Sequence, residues 1–229
     1  MLAALKPCSG LVVVALSSAL AAISSDRVGD PFSLRDCPVA YHEIGELQDP
    51  VVRVYDGREI RFCCDDCVEA FQEDLKSSLA EVDKEMAKDQ APFYPTKQCL
   101  ISGEHLGAAG DVVEVVWHNR LVRFCCDACA TEFRKDPAAT LAKLDKLVKS
   151  TQSTGYPLSV CLIAGEELGA EEVTEIVVAN RLVRLCCEGC AGEFFKNPGV
   201  HIAKLDEAWK KAKPEMFAPQ ADEKAESAK

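Results

Sequence analysis

Residues 112–133 read VVEVVWHNRLVRFCCDACATEF. A β-branched run leads to a two-residue turn at His118-Asn119. A second apolar run follows and ends in the pair Cys125-Cys126, with Cys129 and Phe133 beyond it. Asn and Gly tolerate the positive φ that tight hairpin turns require, so the two runs form a β-hairpin whose second strand feeds straight into the cysteine pair. The same text occurs twice more, as VVRVYDGREIRFCCDDCVEAF over residues 51–71 and as VTEIVVANRLVRLCCEGCAGEF over residues 173–194. Their turns are Asp56-Gly57 and Ala179-Asn180. Repetition at a fixed period of about 62 residues marks a tandem array, and the third hairpin is one residue shorter than the others. The expected strands are 51–55 with 59–62, 112–117 with 121–124, and 175–178 with 182–185.

Each hairpin is preceded by one more cysteine, which sorts twelve of the 13 cysteines into three sets of four. The sets are Cys37, Cys63, Cys64 and Cys67; Cys99, Cys125, Cys126 and Cys129; and Cys161, Cys186, Cys187 and Cys190. After each set the apolar period becomes helical. The stripes are Cys67, Phe71, Leu75, Leu79, Val82 and Met86; Cys129, Phe133, Leu141, Leu144 and Val148; and Cys190, Phe194, Ile202, Leu205 and Trp209. Asp136-Pro137 and Asn197-Pro198 predict a helix break followed by a fresh helix with proline in its first turn. Without such a proline, the first module is expected to carry one long helix. The fold class is α+β: three tandem, small, treble-clef-like units of β-hairpin plus helix, with helical extensions. They span 34–88, 96–150 and 158–212. The Pro-, Ser- and Gln-rich stretches 88–97 and 150–158 read as linkers between beads, and 213–229 as a disordered tail.

Residues 1–22 have the outline of a secretory signal peptide: Lys6, then the apolar run 11–22, with Ala19-Leu20-Ala21 as the cleavage motif. Cys8 leaves with that peptide. The expected location is therefore secreted or periplasmic, with no stable membrane insertion after cleavage. A formal net charge of −11 argues against a nucleic-acid partner, which would need a basic face. No catalytic triad, phosphate loop or paired-carboxylate motif is present, so the chain reads as a binding protein and not an enzyme.

A hairpin brings its two ends together, so the upstream cysteine can meet the cluster. Modules this small bury little core, and a metal or disulfides would supply the missing stability. Four thiolates suit structural zinc, and thiolate-rich sites also select Cu(I). Adjacent cysteines point to different sides of the backbone, which favours three-ligand sets: Cys37 and Cys67 with either Cys63 or Cys64, and their counterparts. Three protein ligands leave an open coordination position. The histidines do not hold register across the repeats. His42 and His105 lie five and six residues after their cysteines, the third module has Glu166 and Glu167 there, and His118 and His201 are singletons. Two alternatives remain open. One is a disulfide-stapled interaction protein, which the compartment favours. The other is thiol redox chemistry at Cys64-Asp-Asp-Cys67, Cys126-Asp-Ala-Cys129 and Cys187-Glu-Gly-Cys190, near helix starts that lower thiol pKa. Arginines also recur. Arg58, Arg120 and Arg181 follow the turns, and Arg61, Arg123 and Arg184 share a strand face with the first cysteine of each pair. They either stabilise thiolates or line a solvated strand face.

The run Cys37-Pro38-Val39, Tyr55-Asp56-Gly57-Arg58, Arg61-Phe62-Cys63-Cys64-x-x-Cys67 and Phe71 resembles a YHS domain and the related TRASH-type metal-binding domain. Cys99-Leu-Ile-Ser-Gly-Glu with Arg123-Phe124-Cys125-Cys126-x-x-Cys129 is similar, as is Cys161-Leu-Ile-Ala-Gly-Glu with Arg184-Leu185-Cys186-Cys187-x-x-Cys190. The resemblance implies a treble-clef finger concerned with heavy-metal sensing, trafficking or resistance. Its ligand spacing maps onto Cys37/Cys63/Cys67, Cys99/Cys125/Cys129 and Cys161/Cys186/Cys190. It leaves Cys64, Cys126 and Cys187 as extra thiols. The expected cargo is Zn(II) or Cu(I), and the expected protein partner is a metal transporter or another periplasmic protein.

Overall fold

A computed structural model describes residues 27–108, 110–169 and 173–217; the expected signal peptide lies outside them. Three antiparallel two-stranded sheets follow one another along the chain: β1 (Val51–Tyr55) with β2 (Arg58–Phe62), β3 (Val113–Trp117) with β4 (Arg120–Phe124), and β5 (Thr174–Val178) with β6 (Arg181–Leu185). The register is the same in each, with Tyr55 opposite Arg58, Trp117 opposite Arg120 and Val178 opposite Arg181. Both residues of every connecting turn have positive φ: Asp56 50° and Gly57 81°, His118 42° and Asn119 71°, Ala179 50° and Asn180 61°. This is the turn geometry whose twist matches that of the flanking strands.

Each sheet is followed by two helices: α1 (Asp65–Glu73) and α2 (Leu75–Gln90), α3 (Asp127–Phe133) and α4 (Pro137–Ser153), α5 (Glu188–Lys196) and α6 (Pro198–Ala212). The first module therefore has two helices where one was expected. The break does not depend on proline. Asp74, Asp136 and Asn197 occupy nearly the same non-helical conformation (φ −135°, −143° and −145°). The carboxylates of Asp74 and Asp136 accept hydrogen bonds from the amides of Ser77 and Ala139, which caps the new helix and stabilises the corner. Within each module the phenylalanine of the first helix packs on the last residue of the second strand: Phe71 on Phe62 with ring centroids 5.0 Å apart, and Phe133 on Phe124 at 5.2 Å. Phe194 and Leu185 are fully buried in the third module's core.

The modules are not beads. The stretches expected as linkers begin inside α2 and α4, and their ends pin the next hairpin. Gln90, fully buried, donates to the carbonyl of Asn119 and accepts from the amide of Leu121. Gln152 repeats this one module on, donating to Asn180 and accepting from Leu182. The hydroxyls of Tyr94 and Tyr156 accept from the amides of Arg123 and Arg184. Phe93 crosses further, into the core of the third module, where the Arg181 guanidinium sits 4.1 Å from its ring centroid.

The arginines after the turns form the hub of this assembly and do not line a solvated face. Arg58 pairs with Asp83 and donates through Nε to Asn119 Oδ1 at 2.8 Å. Arg120 pairs with Asp145 and donates through Nε to Asn180 Oδ1 at 2.6 Å. Arg181, completely buried, pairs with Asp206 and Asp89. The amides of Asn119 and Asn180 in turn donate to the carbonyls of Glu59 and Leu121. The second module thus docks on the first as the third docks on the second. The third also returns to the first: Arg61 donates to the carbonyls of Phe195 and Lys196, Asn197 donates to that of Ile44, and Gly199 lies against the Leu34 carbonyl with no room for a Cβ. Asp30, in the arm before the first module, bonds Arg120 at 3.0 Å and the amide of Ala179 at 2.6 Å. The segment expected as tail opens with a 3-10 turn, Pro214–Phe217, whose Phe217 packs edge-on against Phe93; residues 218–229 lie outside the described ones.

Interlocking of this kind predicts a single cooperative unfolding transition in urea for the metal-free protein, where independent modules would give separate ones. Gln90→Ala strands buried polar groups in two neighbouring modules and is expected to cost about 2–4 kcal/mol in that same transition.

Candidate metal centre

Each site begins with a tight knuckle around the upstream cysteine. The amide of Cys37 donates to the carbonyl of His42 and the amide of Tyr41 to that of Cys37; Cys99 with Glu104 and Gly103, and Cys161 with Glu166 and Gly165, repeat the pattern. The fifth residue of the knuckle is left-handed in all three: Tyr41 at φ 58°, Gly103 at 79° and Gly165 at 72°. Glycine adopts this conformation freely and tyrosine does not, so the first knuckle holds the same shape under backbone strain.

The hairpin returns the chain beside the knuckle, and the strand–helix corner supplies the other thiols. The sulfurs of Cys37, Cys63 and Cys67 all lie within 4.8 Å of one another, as do those of Cys99, Cys125 and Cys129, and of Cys161, Cys186 and Cys190. Cys63 and Cys67 are separated by 3.6 Å, Cys125 and Cys129 by 3.7 Å, and Cys186 and Cys190 by 3.6 Å. A disulfide requires about 2.05 Å, and all twelve described cysteines are free. A tetrahedral ion with Zn–S bonds of about 2.3 Å spaces its sulfurs by about 3.8 Å, which these separations approach. Cys64, Cys126 and Cys187, also expected as candidates, stand at the N-caps of α1, α3 and α5 and outside the three groups. No histidine belongs to a group.

The upstream sulfur is held in a cage of amides. Burial opposes ionisation of Cys99, but the backbone N–H groups of Ser102, Cys125 and Ile101, helped by the Ser102 hydroxyl, outweigh it and bring the thiol down to about 6. Cys161 is buried likewise and is brought down to about 7 by the amides of Ala164, Cys186 and Ile163. Cys37 is lowered by the amides of Ala40, Cys63 and Val39 against its own burial. Successive N–H groups converging on one atom form an anion-binding nest. Other thiols of these groups move the opposite way. Burial and the neighbouring thiols push Cys63 up to about 11 and Cys129 up to about 12, and raise Cys67 and Cys190. In each group the upstream sulfur is the one that its surroundings favour as a thiolate, and a cation bound there would displace the protons of its neighbours.

Arg61, Arg123 and Arg184 do not serve the thiols. Arg123 and Arg184 pair across their hairpins with Glu114 and Glu175 and lie over the rings of Tyr94 and Tyr156. Arg61, opposite Val52, instead pairs with Glu59 and reaches the third module. Reading the three repeats against one another for cysteine and arginine alone passed over Asp83, Asp145 and Asp206, and over Gln90 with Gln152 and Tyr94 with Tyr156. These recur at nearly the same offset as the cysteines and hold the strands that carry the sites.

No family model, curated protein or solved structure matches the chain at a significant level.

In metal-free protein, the ultraviolet thiolate absorbance is expected to show an early titration phase with a midpoint of about 6 from Cys99. Cys99→Ser removes that phase. Ser102→Ala shifts it to higher pH, because one hydrogen bond to the thiolate is lost.

Proposed function

We propose that this chain binds soft metal ions, Cu(I) or Zn(II), as cargo at three like sites, and that it does so outside the cytoplasm to buffer them or pass them on. One observation carries the reading. Cysteines that are 26 or 25 residues apart in sequence converge as free thiols in the same three-sulfur arrangement three times in one chain. Thiolate donors select Cu(I) and Zn(II) over the hard cations. The amide nest stabilises the first thiolate without adding a cation that would compete with the ion. Three protein ligands satisfy trigonal Cu(I), whereas Zn(II) would take a fourth ligand from water or a partner. An open position of this kind suits exchange.

The resemblance of the Cys…Cys-Cys-x-x-Cys modules to YHS and TRASH-type domains supports the same reading, and a metal transporter or another periplasmic protein is the partner it suggests. Export rests on residues 1–22, whose Lys6, apolar run and Ala19-Leu20-Ala21 have the form of a cleaved signal. Among the described residues no helix is long and apolar enough to cross a membrane.

Elemental analysis of purified, reduced protein is expected to give three metal ions per chain, with twelve thiols titratable once a chelator removes them. Cys37→Ser, Cys99→Ser and Cys161→Ser are each expected to lower the stoichiometry by one ion. Protein that carries no metal and only oxidised cysteines would reject the proposal. Secreted material whose N-terminus lies just after the Ala19-Leu20-Ala21 motif would establish export, and retention of that motif and everything before it in soluble cytoplasmic protein would exclude it.

A further inference from the structure

Beside each three-sulfur group stands a fourth sulfur that does not belong to it. Cys64 Sγ lies 3.4 Å from Cys67 Sγ and 3.9 Å from Cys63 Sγ; Cys126 Sγ lies 3.8 Å from Cys125 Sγ, and Cys187 Sγ 3.9 Å from Cys186 Sγ. Cys64 and Cys126 touch only the edge of their modules' cores. Each of the three occupies an N-cap with extended backbone, yet its side chain makes no capping hydrogen bond. None is in the buried core either: Cys64 and Cys126 are half-buried and Cys187 is exposed, while the upstream ligands Cys37, Cys99 and Cys161 are at most 1% exposed. A thiol in van der Waals contact with a ligand sulfur, and less buried than the upstream cysteine, recurs in all three modules.

From this we infer that Cys64, Cys126 and Cys187 are hand-off thiols, through which each site exchanges its metal ion with a thiol-bearing partner. The inference rests on the metal-binding reading above. The step is a ligand substitution with no change of oxidation state. The hand-off thiol loses its proton to water and its sulfur bonds to the ion as one bond to a neighbouring resident cysteine breaks. That resident thiolate takes up a proton. Partner thiolates then replace the hand-off sulfur and the two remaining resident sulfurs one for one, each displaced sulfur leaving as a thiolate that water can protonate, and the upstream cysteine, buried and held by amides, is the last to release. The alternative use of the same atoms, a Cys64–Cys67 disulfide, consumes a ligand and requires an oxidant, and the experiment below separates it.

The test compares the metal-loaded full chain with a variant carrying Cys64→Ser, Cys126→Ser and Cys187→Ser, each loaded anaerobically with Zn(II) and, separately, with Cu(I). Two quantities are read: ions bound per chain, and the rate of transfer to excess glutathione or dithiothreitol in stopped flow. The expected result is three ions in both proteins and transfer about tenfold slower in the variant, which corresponds to a barrier higher by about 1.4 kcal/mol. The single variant Cys187→Ser, at the most exposed of the three positions, should slow one third of the transfer amplitude and leave the rest unchanged, even if the triple variant folds poorly. Equal rates with full stoichiometry would overturn the inference while leaving the metal-binding reading intact. A fall to fewer than three ions would also overturn it, by making these cysteines ligands. Transfer that slows only after exposure to hydrogen peroxide would assign them to disulfide chemistry instead. Absence of metal from the parent protein would remove the reading on which the inference depends.

Discussion

The guanidinium of Arg120 is buried among Asn180, Asp145 and Asp30, and the rest of the architecture depends on contacts of this type. A buried arginine must have its charge paired and its N–H groups satisfied. Here the aspartate comes from the arginine's own second helix, and the Nε acceptor comes from the hairpin turn of the next module. Arg58 with Asp83 and Asn119 obeys the same rule. The turn asparagine can present its side chain there because asparagine adopts the left-handed conformation at lower cost than most residues. One residue type thus shapes the turn and joins two modules. The first module has Gly57 in that place. Gly57 lies against Val28 of the arm that closes the hub.

The hub and the thiol clusters are two ends of the same strands. Arg58, Arg120 and Arg181 open β2, β4 and β6, and Cys63, Cys125 and Cys186 follow directly after the last residue of each. Five residues of strand separate hub from site by about 16 Å. Because the arginine end is fixed by buried ion pairs, the cysteine end arrives at the knuckle in one register. A slip of one residue would turn the first cysteine of the pair away and bring the second inward. The fixed hub therefore explains why Cys63, Cys125 and Cys186 enter the three-sulfur groups and the cysteines next to them do not.

Sharing also answers the problem of size. A hairpin and two helices bury little apolar surface alone, yet Phe93, from the end of the first module, completes the third module's core, and Phe217 covers Phe93. The stability of each module then rests in part on its neighbours. The thiol clusters need not hold the fold by themselves.

The sequence by itself determined the repeat, the three hairpins with their turns, the phenylalanines under the strands and the sorting of twelve cysteines into three sets, because all of these depend on local period and turn chemistry. It also contained the helix break of the first module, since Asp74 stands where Asp136 and Asn197 stand, but proline is the louder signal and the cap was passed over. The choice between Cys63 and Cys64 was left open because adjacent residues differ only in which side of the strand they face, and that is settled by a register fixed at the far end of the strand. The joining of the modules, the conversion of linkers into pins and the burial of the arginines were decided only in three dimensions. A single repeat read alone presents Arg120 as a charge on a strand, and its partners Asp30 and Asn180 lie 90 and 60 residues away.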